Sequence, residues 1–142
     1  MTAMPIIDAA IRCGLGRSPS EFTYAGNILT HTPSSKQYFA KSGSNVPQIL
    51  GEASGLRAIS QAAPGLCPTV HLAEESKADG GKTALFISDY VNLDSSGGRA
   101  LEKLAERMAG ETHNPEKSKD VKRFGWERPT HCGVTEQDNT WE

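Results

Sequence analysis

The chain has 142 residues, a formal net charge of −2 and 37% hydrophobic residues, with a pI near 6.1 and a mean hydropathy of −0.47. That length holds one domain around one modest core. The balance of charge argues against a nucleic-acid or polybasic membrane surface, and the longest apolar run, Ala84 to Ile87, is far shorter than a membrane span.

In chain order, Ile6, Ile7, Ala10 and Ile11 recur at helical spacing and stop at Gly14 and Gly16. No basic region precedes them, so this start reads as a short helix and not as a signal peptide. "EFTYAGNILTHT" places β-branched and aromatic residues on both sides of Ala25-Gly26-Asn27, the pattern of two strands joined by a turn. "SSKQYFAKS" is a third strand, with Gln37, Phe39 and Lys41 on one face and Tyr38 and Ala40 on the other. A helix follows from Pro47 to about Ala63, with Ser44 and Asn45 as capping candidates. It carries Ile49, Leu56 and Ile59 on one face and Glu52 among them. "LCPTVHLAEE" and "KTALFISDYV" are the fourth and fifth strands, joined through "ADGGK". "GGRALEKLAERMAGE" is an amphipathic helix expected to turn Leu101, Leu104 and Met108 inward. "THNPEKSKDVKR" is polar and expected to be mobile, and the remaining "FGWERPTHCGVTEQDNTWE" shows no regular period. The order favours an α+β fold, a five-stranded antiparallel sheet with one helix packed on it.

The three cysteines, Cys13, Cys67 and Cys132, are odd in number and form no CxxC, which fits free thiols in a reducing, cytoplasmic setting. His131 and Cys132 are adjacent, and neighbours on an extended chain point to opposite sides, so they make a poor metal pair. Nothing nearby equips His131 as an acid or base, and a satisfied or solvated histidine is the expectation. Trp126 and Trp141 read as burial or contact residues.

A carboxylate inside an apolar stripe needs a partner, because an unpaired buried charge is costly. Lys41, at the end of the preceding strand, can supply one, which is how kinase-type folds place an ammonium on nucleotide phosphates. The pattern alone favours Glu52 at a solvated margin and Lys41 as an ordinary exposed strand end. Tyr24 to Leu29 could be a phosphate-covering hairpin, but Gly26 is its single glycine, so taken alone it reads as a plain hairpin turn. Ser88-Asp89-Tyr90 ends a buried run and can either offer backbone groups to an adenine edge or simply enter a loop.

Taken together, four segments resemble the fructosamine kinase (ketosamine 3-kinase, protein-ribulosamine 3-kinase) family. They are "YFAKSG", "ILGEASGLRAI", "ALFISDYVNL" and "RFGWERPTHCGVTEQDNTWE", the last resembling that family's FGF…CCG.TPQ.N.W signature. The resemblance covers roughly residues 18 to 142 and implies a protein-kinase-like N-lobe over 18–91, after an N-terminal helix and linker over 1–17. Residues 92–142 would then hold a hinge-following helix and the start of a C-lobe. It implies an ATP- and Mg²⁺-dependent kinase that phosphorylates the 3-hydroxyl of ketoamine sugars on glycated proteins, beginning deglycation. By position, Lys41 would touch the α and β phosphates and Glu52 would hold it. The backbone of Asp89 and Val91 would bind adenine, Ser88 would be the gatekeeper and Gly26 would lie in the phosphate loop. Here that loop reads Ala25-Gly26-Asn27-Ile28 where the family reads GGxI, so no loop cysteine with a redox role is expected. A segment resembling HGDLWSGN, with its catalytic carboxylate, does not occur among these residues, nor does the later metal-binding aspartate. No catalytic or metal-ligating residue is therefore assigned, and the chain alone is expected to be inactive. The alternative is a non-catalytic, pseudokinase-like module that binds nucleotide or a partner. An aminoglycoside- or choline-kinase relative is disfavoured by the FGW…CG…Q.N.W stretch.

Overall fold

A computed structural model describes residues 3–92, 98–113 and 126–138. The expectations for residues 114–125 and for Trp141 lie outside them. Helix α1 (Met4–Arg12) leads to strands β1 (Phe22–Ala25), β2 (Ile28–His31) and β3 (Lys36–Gly43). Helix α2 (Val46–Ala62) is followed by β4 (Val70–Glu75), β5 (Ala84–Asp89) and helix α3 (Gly98–Arg107). A short hairpin, β6 (Thr130–Cys132) and β7 (Thr135–Gln137), closes the described chain. No helix among the described residues is long and apolar enough to cross a membrane.

The five long strands form one antiparallel sheet in the order β1-β2-β3-β5-β4. Alternation along β3 decides what each face holds. Tyr38 and Ala40 are buried with Leu29, Leu85 and Ile87 against Ile6, Ile7, Ala9 and Ala10 of α1. Phe39 faces the other way and packs with Phe86, Ala84, Ile49 and Ala53 under α2. β5 is buried along its length because both faces are covered. The sequence reading placed one helix on the sheet, and α1 supplies a second, on the opposite face.

Asn45 caps α2, its side-chain oxygen accepting from the Gln48 amide at 3.3 Å, and Pro47 occupies the first turn where a missing N–H costs nothing. The stripe on α2 is narrower than expected: Ile49 is buried and Leu56 packs beside it, but Ile59 is exposed. α3 departs further. Leu101, Leu104 and Met108 are 63%, 39% and 46% exposed, so the apolar face read as inward is open. Amphipathic spacing defines a face without saying what covers it.

The β6–β7 hairpin was not legible as strands, although Gly133, at φ +61°, marks its turn. It docks on α2. Gln48 Nε2 donates to the Gly133 carbonyl at 2.7 Å and Ser54 Oγ donates to Glu127 Oε1 at 3.0 Å. Gly51 permits this approach, since a Cβ there would meet the Pro129 carbonyl oxygen at 3.3 Å.

Candidate nucleotide site

β3 and α2 bring Lys41 and Glu52 together. Lys41 Nζ donates to Glu52 Oε2 at 2.6 Å, with the two side chains 28% and 40% exposed. Lys41 pairs across the sheet with Phe86, and its ammonium lies 5.4 Å from the Phe86 ring centroid and 5.9 Å from that of Phe39. Two aromatic faces and one carboxylate thus fix the cation while leaving it reachable. The pair is found, and Glu52 is at the same time exposed, as the solvated-margin placement had it.

The Gly26-Asn27 turn has φ of +55° and +67°. Two successive positive φ values are those of a type I′ hairpin turn, whose twist matches that of the flanking strands. A side chain at Gly26 would meet nothing within 4 Å, so the glycine there serves backbone conformation and leaves open space above it. The turn lies beside the lysine strand, because the Asn27 carbonyl accepts from the Ala40 amide at 2.9 Å and Tyr24 Oη donates to the Ala40 carbonyl at 3.2 Å.

Beside Lys41 and Glu52 opens a cleft of about 560 Å³ lined by Phe39, Glu52, Leu56, Phe86, Ser88 and the segment Asp89–Asn92. Its size and apolar walls suit a small ligand. At its end the Asp89 amide is used within the fold, donating to the Thr69 carbonyl at 2.9 Å. Only the Asp89 carbonyl can then serve a ligand edge, and the Ser88 hydroxyl donates to it at 3.2 Å. Val91, two residues on, is 48% exposed in the cleft wall.

The Asp89 side chain points to the other face of the sheet. His71 Nε2 donates to its Oδ1 at 2.7 Å and the Thr69 amide to its Oδ2 at 3.3 Å. Desolvation pushes this carboxyl up, but the His71 and Thr69 hydrogen bonds outweigh it and hold the pKa below the ordinary value. This clamp escaped the sequence reading: a bulge between Val70 and Leu72 sets the register of His71, and a bulge leaves no compositional mark.

His131 also differs from expectation. Its Nδ1 is buried without a partner among the described residues, and Glu136 is its cross-strand neighbour.

A five-stranded antiparallel sheet, a helix carrying the glutamate of a strand lysine and a cleft at the end of the fifth strand define a protein-kinase-like N-lobe. The profile of the fructosamine kinase family matches residues 25–142, and the chain belongs to that family. The crystal structure of a candidate fructosamine-3-kinase from Haemophilus somnus 129PT superposes with a TM-score of 0.59 at 16% identity, covering 86% of this chain. The chain spans 40% of that protein's length. No curated protein matches it closely enough to count as a relative.

Proposed function

We propose that residues 1–142 form the nucleotide-holding part of an ATP-dependent kinase for protein-bound ketosamines, a cytoplasmic enzyme whose product opens the route to deglycation. The observation that carries this reading is the 2.6 Å Lys41–Glu52 pair at the mouth of an apolar cleft. The residues present fit ATP. Phe39, Leu56 and Phe86 offer apolar walls for a base, the Asp89 carbonyl and Val91 amide offer an acceptor and a donor for its edge, and Lys41 offers a cation for the phosphates. Bound ATP, with Mg²⁺, supplies the phosphoryl group and part of its charge balance.

Glu52 holds the Lys41 ammonium in one place, so its orientation is settled before a phosphate arrives. The Gly26-Asn27 turn, free of side-chain bulk at Gly26, allows phosphate oxygens to approach backbone amides. Family membership supports a sugar amine as the substrate class, and a glycated protein is the carrier proposed for it. No residue here is assigned to deprotonate its 3-hydroxyl or to ligate Mg²⁺, so the 142-residue chain is expected to bind ATP without transferring phosphate.

The test is an ATP titration of the wild-type and Lys41→Met chains, followed by incubation with fructoselysine. Saturable binding that weakens in the variant, with no phosphorylated sugar, supports the reading. Equal binding by both chains removes Lys41 from the site, and phosphorylated fructoselysine overturns the expected inactivity.

A further inference from the structure

A second cleft, of about 570 Å³, lies on the opposite side of α2 from the nucleotide cleft, between that helix, β4 and residues 126–128. Its size is almost that of the first, so volume does not rank the two; chemistry does. Arg57, Glu74, Trp126, Glu127 and Arg128 supply its polar lining, and Leu50, Ala58 and Ala73 its apolar floor.

The two carboxylates in this cleft are already engaged. Arg12 donates to the Glu74 carboxylate, and Glu127 accepts from Ser54 Oγ at 3.0 Å and has Arg128 Nε at 3.8 Å. The donors are not. Trp126 Nε1 is buried and has no hydrogen-bond partner among the described residues. Arg57 has no ion-pair partner among them either. Counting Arg12, three guanidinium groups face two carboxylates. A buried N–H without an acceptor is costly and rare, and in a native protein it points to a missing water, ion or ligand.

We infer that this cleft binds a small organic oxyanion, a phosphate monoester or carboxylate. Its oxygens would accept from Trp126 Nε1 and Arg57, and its apolar part would lie on Leu50 and Ala58. Planar guanidinium suits both headgroups. The site shares no lining residue with the nucleotide cleft, so the inference stands apart from the proposed function.

The experiment uses the ¹⁵N-labelled full chain, with the Trp126 indole resonance assigned by its loss in Trp126→Phe. Phenyl phosphate and benzoate are titrated separately. The expected result is a saturable downfield shift of that indole N–H, weakened about tenfold in Arg57→Gln, the loss of one charge-assisted hydrogen bond. Whichever probe saturates at lower concentration tells phosphate from carboxylate. Arg57 is exposed, so its variant should fold, and unchanged amide dispersion checks that. No indole shift with either probe at millimolar concentration overturns the proposal. So does an equal shift in Arg57→Gln, or a phenyl phosphate response confined to the amides of residues 89–92.

Discussion

The Lys41 ammonium touches the Glu52 carboxylate at 2.6 Å while lying 5.4 Å from the centroid of the Phe86 ring. The pair is therefore oriented without being buried. Removing it should scarcely affect folding, since half-exposed ion pairs contribute about 0 to 1 kcal/mol. Its effect on ATP should be larger. If Lys41 holds the phosphates as proposed, Lys41→Met removes a charged hydrogen bond worth about 1.5–3 kcal/mol, or roughly ten- to hundredfold in affinity. Glu52→Gln should weaken ATP less, because the cation remains. Calorimetric titration beside a thermal melt separates the two effects; a large fall in melting temperature with unchanged affinity would make the pair structural.

The docking of the β6–β7 hairpin depends on the missing side chain at Gly51. Backbone atoms of Pro129 and Thr130 lie 3.3 and 4.0 Å from where a Cβ would stand. Gly51→Leu should displace the hairpin at a cost of about 1–3 kcal/mol, the usual range for overpacking. The fluorescence of Trp126 should shift to longer wavelength as its ring enters water. An unchanged emission maximum would show that the hairpin is not held by this contact.

Asp89 gives the end of β5 a pH dependence whose sign is fixed. Its folded pKa is depressed, so its contribution is present above the unfolded value of about 3.9 and is lost as pH falls through the folded value. Asp89→Asn should flatten the acid limb of stability between about pH 4 and lower values. The measurement is urea unfolding at stepped pH; parallel acid limbs for both chains would contradict the assignment.

The cysteines should differ in reactivity. Burial raises the Cys13 thiol above its ordinary pKa, and its Sγ donates to the Ala10 carbonyl at 3.4 Å. Cys132 is exposed on β6. Iodoacetamide at neutral pH should modify Cys132 well before Cys13, because the thiolate is the nucleophile. Peptide mass mapping over time reads the order, and faster labelling of Cys13 would contradict it.

The sheet was legible because its strands carry period-two alternation and its first turn carries a glycine. The same alternation put Lys41 and Phe39 on one face, and the turn after Lys41 left room for a capped helix bearing Glu52. What escaped the sequence depends on distant partners. Ile6 and Ile7 announce a helix face, yet only the three-dimensional sheet shows that it covers Tyr38 and Ala40. Leu101 and Met108 announce another face, which in the structure is open. The His71–Asp89 clamp and the Trp126 cleft join residues 18 and dozens of positions apart through a bulge and a docked hairpin, and neither device has a periodic signature.

The central claim is that ATP occupies the cleft beside Lys41. The most direct measurement is an ATP titration followed through the backbone amides of the ¹⁵N-labelled chain. The account predicts that the amides of Val91, Gly26 and Lys41 shift together and saturate together. Shifts confined to the cleft between α2 and Trp126, or no shift with the fold intact, would contradict it.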